Sequence, residues 1–190
     1  MIVVVMGVPG AGKTTVIRRA QKYVDFTYVN YGDIFLDVAR ERYGIETRDE
    51  IRKRLSWEEY KELHKEAAKR IVEMGKNELV VLDTHALVVL PTGFMPGFPR
   101  FVLEMLPVSA WVLVEASPEE IAGRRARDAG ERERGGGLEE EVALHQELNR
   151  VAAIVYATIA GGSVYIIRNR EGMAEEAAKE LAEVLKRCGK

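Results

Sequence analysis

The sequence predicts an α/β fold in which five parallel strands lie between two layers of helices. Three observations predict it. Short apolar runs alternate with longer segments of helical periodicity along the whole chain, the pattern that builds a parallel sheet covered on both faces. The runs are continuous in their apolar character, as strands buried on both faces require. The 190 residues, 47% hydrophobic, suffice for one sizeable core with small appended pieces.

The elements follow in order. IVVVM (2–6) is the first strand, and a glycine-rich turn leads from it into a helix through Val16, Ile17 and Ala20. FTYVN (26–30) reads as the second strand. Residues 33–76 are mostly helical and highly charged, with Tyr60, Leu63, Ala67, Ile71 and Met74 tracing one apolar stripe. LVVLD (79–83) is the third strand, and residues 91–99, with three prolines, read as a rigid apolar loop. WVLVEA (111–116) is the fourth. Ser117, Pro118 and Glu120 open a helix through a capping box. That helix stops near Gly130, and a long one runs from about residue 138 to 160. SVYIIR (163–168) is the fifth strand, and an amphipathic helix through Ala177, Leu181, Val184 and Cys188 closes the chain.

Composition excludes several classes. A net charge of −2 argues against a general nucleic-acid binder, so no nucleic-acid partner is expected. No run approaches the roughly 20 apolar residues of a membrane span, so no membrane partner is expected either. The single cysteine, Cys188, allows no disulfide within the chain and no CxxC zinc site, which fits a cytoplasmic location.

The chemistry starts after the first strand. Gly7-Val8-Pro9-Gly10-Ala11-Gly12-Lys13-Thr14 matches G-x-x-x-x-G-K-[ST] between a strand and a helix, the context its mechanism needs. Its backbone N–H groups would turn toward phosphate oxygens, aided by the helix N-terminus. Gly7, Val8, Pro9, Gly10, Ala11, Gly12, Lys13, Thr14 and Thr15 are therefore assigned to the phosphates of ATP. Lys13 would reach the β- and γ-phosphates, and Thr14 would ligate Mg2+. Asp83 ends an apolar strand, as a second Mg2+ ligand, direct or through water, should. The fold class is then a P-loop NTPase fold, a three-layer α/β/α sandwich. No N-K-x-D motif marks a GTPase, and the chain is short for the large ATPases. A small P-loop kinase remains, and it needs an acceptor site and a cationic cover that excludes water.

Two stretches suit those needs. Residues 31–76 form a helical insert, expected to bind the acceptor. Residues 124–137 form a short lid rich in arginine: Arg124, Arg125 and Arg127, then Arg132 and Arg134 beyond Gly130. Arginine binds phosphate oxygens through a planar fork and stays charged. Arg132 and Arg134 are assigned to the transferring phosphates, and Arg150, on the long helix, to closing the phosphate cage. Arg125, about 100° around the helix from Arg124, is read as surface. His64 and His145 are read as structural, and Trp57 and Trp111 as core or interface residues.

The segments GVPGAGKTT (7–15), VNYGDIFLDVA (29–39), RDEIRK (48–53), VVLDTHAL (80–87), PTGFMPGFP (91–99), HQELNRVAAIVYA (145–157) and IIRNREG (166–172) resemble the archaeal adenylate kinases, nearly throughout the chain and in order. The resemblance implies the reaction ATP + AMP ⇌ 2 ADP, with Mg2+, on a five-stranded core carrying an AMP-binding insert and a short lid. It also implies a cytosolic homotrimer, and an Arg124 that stacks on the ATP adenine. One departure from the wider adenylate kinase pattern matters. Ile34, Phe35 and Leu36 follow Gly32-Asp33, so the arginine usual three residues on is missing. Arg40, Arg48 and Arg52 are the unranked candidates for holding the AMP phosphate. Asp33 either orients that arginine or caps the next helix, and His85 stands on the AMP side. A P-loop kinase for another nucleoside monophosphate or a small metabolite would share this core, and a nucleotide-binding switch would share the P-loop alone.

Overall fold

Strand β1 (Ile2–Met6) is the axis of the fold, with all five side chains fully buried. The computed structural model describes residues 1–128 and 136–189, with backbone only for Arg52 and Asp128. After β1 come α1 (Lys13–Ala20), β2 (Thr27–Asn30), α2 (Tyr31–Tyr43), α3 (Arg48–Arg54), α4 (Trp57–Asn77) and β3 (Val80–Asp83). Then follow β4 (Leu87–Leu90), β5 (Gly93–Pro96), α5 (Arg100–Leu103), β6 (Val108–Glu115), α6 (Pro118–Asp128), α7 (Gly136–Ala160), β7 (Ser163–Arg168) and α8 (Ala174–Cys188).

The main sheet has the order β2-β3-β1-β6-β7 and every pairing in it is parallel. Alternate residues of β1 serve opposite cores. Ile2, Val4 and Met6 pack with Ala68 and Ile71 of α4, Val102 of α5 and Tyr156 of α7. Val3 and Val5 pack with Val16 and Ile17 of α1 and Leu181 and Leu185 of α8. This is why IVVVM is apolar without interruption: a period-2 pattern serves a sheet with one wet face, and this strand has none. The chain leaves β1 over the α1 face toward β2 and leaves β3 toward β6, so the ends of β1 and β3 flank a switch point where α/β sheets bind ligands.

Helices α2, α3 and α4 form the insert between β2 and β3 and share a small core of Val38, Ala39, Ile45, Ile51, Leu63 and Ala67. Their starts are chemically specified. Asn30 and Thr47 cap α2 and α3, and Ser56 with Glu59 makes a reciprocal capping box at α4. The rigid loop expected at 91–99 is in part a strand. β4 and β5 pair antiparallel, Leu87 with Pro96 and Leu90 with Gly93, around a turn at Pro91 and Thr92. Proline, which cannot donate to a ladder, sits at the turn and at the strand's end, where no ladder bond is needed. Trp111 is fully buried as expected, whereas Trp57 is exposed beside Tyr60. Helix α7 buries Val142, Ala153 and Tyr156 but leaves Leu144, Val151, Ile154, Val155 and Ile159 exposed.

Candidate active site

The P-loop fills the space above β1. Gly10 and Gly12 take φ of 88° and 81°, values that favour glycine. A Cβ on Gly7 would lie 2.6 Å from the Val114 carbonyl oxygen of β6. These positions need glycine because the loop is left-handed or pressed against backbone. Helix α1 begins at Lys13 with no side-chain cap, so its first amides remain available to an anion.

Lys13 lies 2.5 Å from Asp83 Oδ1 and donates to the Thr84 carbonyl at 2.5 Å. Burial lowers the Lys13 pKa, and the adjacent Asp83 carboxylate opposes that shift. Asp83, 2% exposed at the end of β3, accepts the Tyr28 hydroxyl on Oδ2 at 2.8 Å. In this arrangement Lys13 and Asp83 neutralise one another. An incoming triphosphate would take over Lys13 and free the carboxylate. The oxygens of Asp83 and Thr14 suit a hard cation such as Mg2+. Among the described residues no group of three or more His, Cys, Asp or Glu forms a metal cage, so such an ion would also need phosphate and water oxygens.

A cavity of about 670 Å³ joins this phosphate end to the insert; Lys13, Thr14, Asp83 and Arg124 line one part of it, and Gly32, Phe35, Arg48, Ile51 and His64 another. Arg48 donates to Asp33 Oδ1 at 2.6 Å and to Asn30 Oδ1 at 3.4 Å, and its guanidinium lies directly over Gly32. Asp33 thus orients an arginine, and its backbone N–H is capped by Asn30. Arg40 points elsewhere, held by Asp37 at 3.0 Å and Glu46 at 2.9 Å. The side chain of Arg52 is outside the described residues. His85 lines the cavity; desolvation and then the Lys13 charge lower its pKa.

On the other wall, Arg124 Nη1 donates to the Gly10 and Ala11 carbonyls at 3.3 Å, its Nη2 to Asn169 O at 3.0 Å, and its Nε to Glu171 at 3.1 Å. Arg127 meets the same Glu171 at 3.2 Å. Arg125 departs from its surface reading: it donates from Nε to Pro9 O at 2.8 Å, and burial lowers its pKa. The P-loop carbonyls point back toward α6 and attract both guanidinium groups. Arg132 and Arg134 lie outside the described residues. Arg150 does not line this cavity. It forms a two-pronged pair with buried Glu115, at 2.9 and 2.6 Å, beside a second cavity shared with Arg168 and Arg170. Glu115 ends β6 and would be an uncompensated buried charge without it.

Known proteins match this chain along most of its length. A family model described as "AAA domain" matches residues 6–143. The adenylate kinase of Methanopyrus kandleri is 42% identical over 187 residues, covering 97% of both chains. That of Thermococcus kodakarensis is 44% identical over 187 residues, covering 97% of this chain and 94% of that one. This chain belongs to the adenylate kinase family. Among solved structures, shikimate kinase from Acinetobacter baumannii superposes with a TM-score of 0.58 at 17% identity, over 98% of this chain and 93% of that one, which is a likeness of fold. The family membership makes the chain a phosphotransferase with a P-loop.

Three further residues lie at this site. Asn169 is 4% exposed; its Nδ2 donates to Ala11 O at 2.8 Å and occupies the space a Cβ on Gly12 would need. Glu171 holds Arg124 and Arg127. Both lie in IIRNREG (166–172), a segment that carried the family resemblance, and both follow the last strand at the ligand edge of the sheet. His64, read as structural, lines the cavity from α4, 4% exposed, with Nδ1 2.7 Å from the Tyr31 hydroxyl.

Proposed function

We propose that this chain transfers the γ-phosphoryl group of ATP to AMP, giving two ADP. The observation that carries the reading is the single cavity that joins the P-loop and Asp83 to an oriented arginine on the insert. The donor's phosphates would lie in the P-loop amides with Lys13 on the β- and γ-phosphates. Arg48, of the three candidates, would hold the AMP phosphate, because Asp33 and Asn30 aim its fork across Gly32 while Arg40 is occupied elsewhere. The reaction asks little covalent work of the protein; positioning and charge stabilisation supply most of the catalysis. Asp83 and Thr14 would hold Mg2+ when it binds with the nucleotide, and the ion would supply charge neutralisation there. Arg124 would steady the P-loop and the donor adenine, and Arg132 and Arg134 would close over the phosphates as a lid of residues 124–137. Arg150 is better supported as the counter-ion of Glu115 than as part of the phosphate cage. His85 would stand beside Lys13 on the acceptor side.

The reading extends to a cytoplasmic homotrimer. The exposed α7 row of Leu144, Val151, Ile154, Val155 and Ile159, with Ile166 on the edge strand β7, supports self-association. Light scattering should give three times the chain mass, and Ile154→Glu should reduce it; a wild-type monomer would overturn this part.

A coupled assay across AMP, GMP, CMP, UMP and shikimate tests the activity. AMP should be the preferred acceptor, with ADP formed from both substrates. Preference for shikimate would support the alternative of a small-metabolite kinase, and ATP turnover independent of any acceptor would refute both. Alanine at Arg132 or Arg134 should reduce kcat more than it weakens ATP binding.

A further inference from the structure

A loop that turns its N–H groups toward a phosphate turns its carbonyls outward, and those carbonyls need partners. From Val8 to Gly12 each carbonyl has one. Val8 O accepts from Ala11 N, and Gly12 O from Val16 N, both at 3.1 Å. Pro9 O accepts from Arg125 Nε at 2.8 Å. Arg124 Nη1 reaches Gly10 O and Ala11 O only at 3.3 Å, whereas Asn169 Nδ2 meets Ala11 O at 2.8 Å. The amides of Gly10 and Gly12, by contrast, have no partner among the described residues. Both glycines are half-buried and line the cavity.

The two free amides belong to the two peptides that Arg125 and Asn169 hold. A trans peptide is planar, with its C=O and N–H pointing opposite ways. Holding Pro9 O toward α6 therefore aims the Gly10 N–H away from α6. Holding Ala11 O toward Asn169 aims the Gly12 N–H away from Asn169. The hold is needed because a glycine follows each carbonyl. Turning such a peptide over reverses the sign of φ at the glycine, and glycine accepts both signs. A turned peptide would present a carbonyl oxygen where a phosphate needs a donor. The anchors are themselves fixed. Asn169 is 4% exposed, and its backbone N–H donates to Glu115 O at 2.7 Å, continuing the pairing of β6 with β7. Arg125 is half-buried on α6.

We propose that Arg125 and Asn169 are positioning residues for the phosphoryl donor. They hold the Pro9 and Ala11 carbonyls outward and so keep the Gly10 and Gly12 N–H groups turned to the phosphates of ATP. Neither needs to touch the reacting atoms; each acts through a peptide of the P-loop. The inference rests on the reading of the P-loop as the ATP site, and it names the groups that set that site before the nucleotide arrives.

The test compares Arg125→Met with Arg125→Gln and adds Asn169→Leu, each checked by thermal melting. Both Arg125 variants lose the charge. The glutamine Nε2 stands as many bonds from the backbone as the arginine Nε, so only the methionine variant loses the donor. Calorimetry reads the Kd for MgATP, and the coupled assay reads the AMP KM. Arg125→Met and Asn169→Leu should each raise the MgATP Kd about 10- to 100-fold, the range of one hydrogen bond to a charged group. The AMP KM should stay unchanged, and Arg125→Gln should bind MgATP nearly as well as wild type. An Arg125→Gln variant as weak as Arg125→Met would show that the charge acts rather than the hold on Pro9 O, and would overturn the proposal. An unchanged MgATP Kd in Arg125→Met, or equal losses for MgATP and AMP, would overturn it too. If Asn169→Leu does not fold, the Arg125 pair decides. Wild type that binds MgATP but forms no ADP from AMP would count against the adenylate kinase reading alone, because the Kd values need no acceptor.

Discussion

Replacing Gly32 with alanine should make the protein more stable and a poorer enzyme. Gly32 is the second residue of α2, where its Cβ would lie 2.5 Å from Cζ of Arg48 and 2.6 and 2.7 Å from its two terminal nitrogens. The Arg48 side chain is 55% exposed, so it can swing into solvent without disturbing the core. The fold then feels mainly the exchange of glycine for alanine in a helix, a gain of about 0.5–1 kcal/mol. For a chain of this size that raises Tm by roughly 1–4 °C. The acceptor site loses an arginine aimed by Asp33 and Asn30. A charge-assisted hydrogen bond is worth about 1.5–3 kcal/mol, so the AMP KM should rise roughly 10- to 100-fold. The ATP KM should hold, since Lys13 and the P-loop are untouched. Calorimetry and a coupled ADP assay read the two effects separately. An unchanged AMP KM, or an equal rise for ATP, would refute the assignment of Arg48; a lower Tm would refute the claim that Arg48 yields without cost.

Three further outcomes follow from the same geometry. Burial holds the His64 pKa down to about 4, so the unfolded chain takes up that proton first. The resulting stability is full above pH 6.5 and is lost as pH falls toward 4, about 3 kcal/mol in all; urea melts of wild type against His64→Gln should show the variant's curve flatter in that window, and parallel curves would contradict it. Glu115→Gln should cost about 2 kcal/mol in chemical denaturation, less than a fully buried pair because Arg150 is half exposed; a loss of kcat without loss of stability would instead return Arg150 to the phosphate cage. Arg124→Ala should raise the ATP KM by about tenfold, as expected for losing a charged hydrogen-bonding group, and leave the AMP KM alone, whereas equal rises in both would mean that Arg124 only supports the fold.

The donor half of the site was legible because its parts are local. The P-loop glycines, Lys13 and Thr14 are contiguous, and Asp83 is marked by the apolar strand it ends. The alternation of strands and helices was legible because β1 and β6 are buried on both faces. The acceptor half depends on contacts between separate helices. Nothing in the local sequence of Arg48 distinguishes it from Arg40; only the packing of α2 against α3 brings it over Gly32, while Asp37 and Glu46 engage Arg40. Arg150 read as a phosphate ligand because its counter-ion, Glu115, is 35 residues away on β6. His64 was read as structural for want of a ligand-spaced partner, and it is buried on α4 beside Leu63. The hairpin at β4 and β5 was obscured by prolines that mark its turn and its strand end.

The central claim is that one cavity passes a phosphoryl group from a nucleotide on Lys13 to an acceptor on the insert. Its most direct measurement is the stoichiometry and rate of ADP formation in wild type and Lys13→Ala. Wild type should form two ADP for each AMP consumed, with little ATP turnover when AMP is left out. Lys13→Ala should keep the wild-type circular dichroism and lose about 100- to 1000-fold in kcat, the scale for removing one preorganised charge partner of the transition state. ADP formation that ignores AMP, or a Lys13→Ala variant at the wild-type rate, would contradict the account.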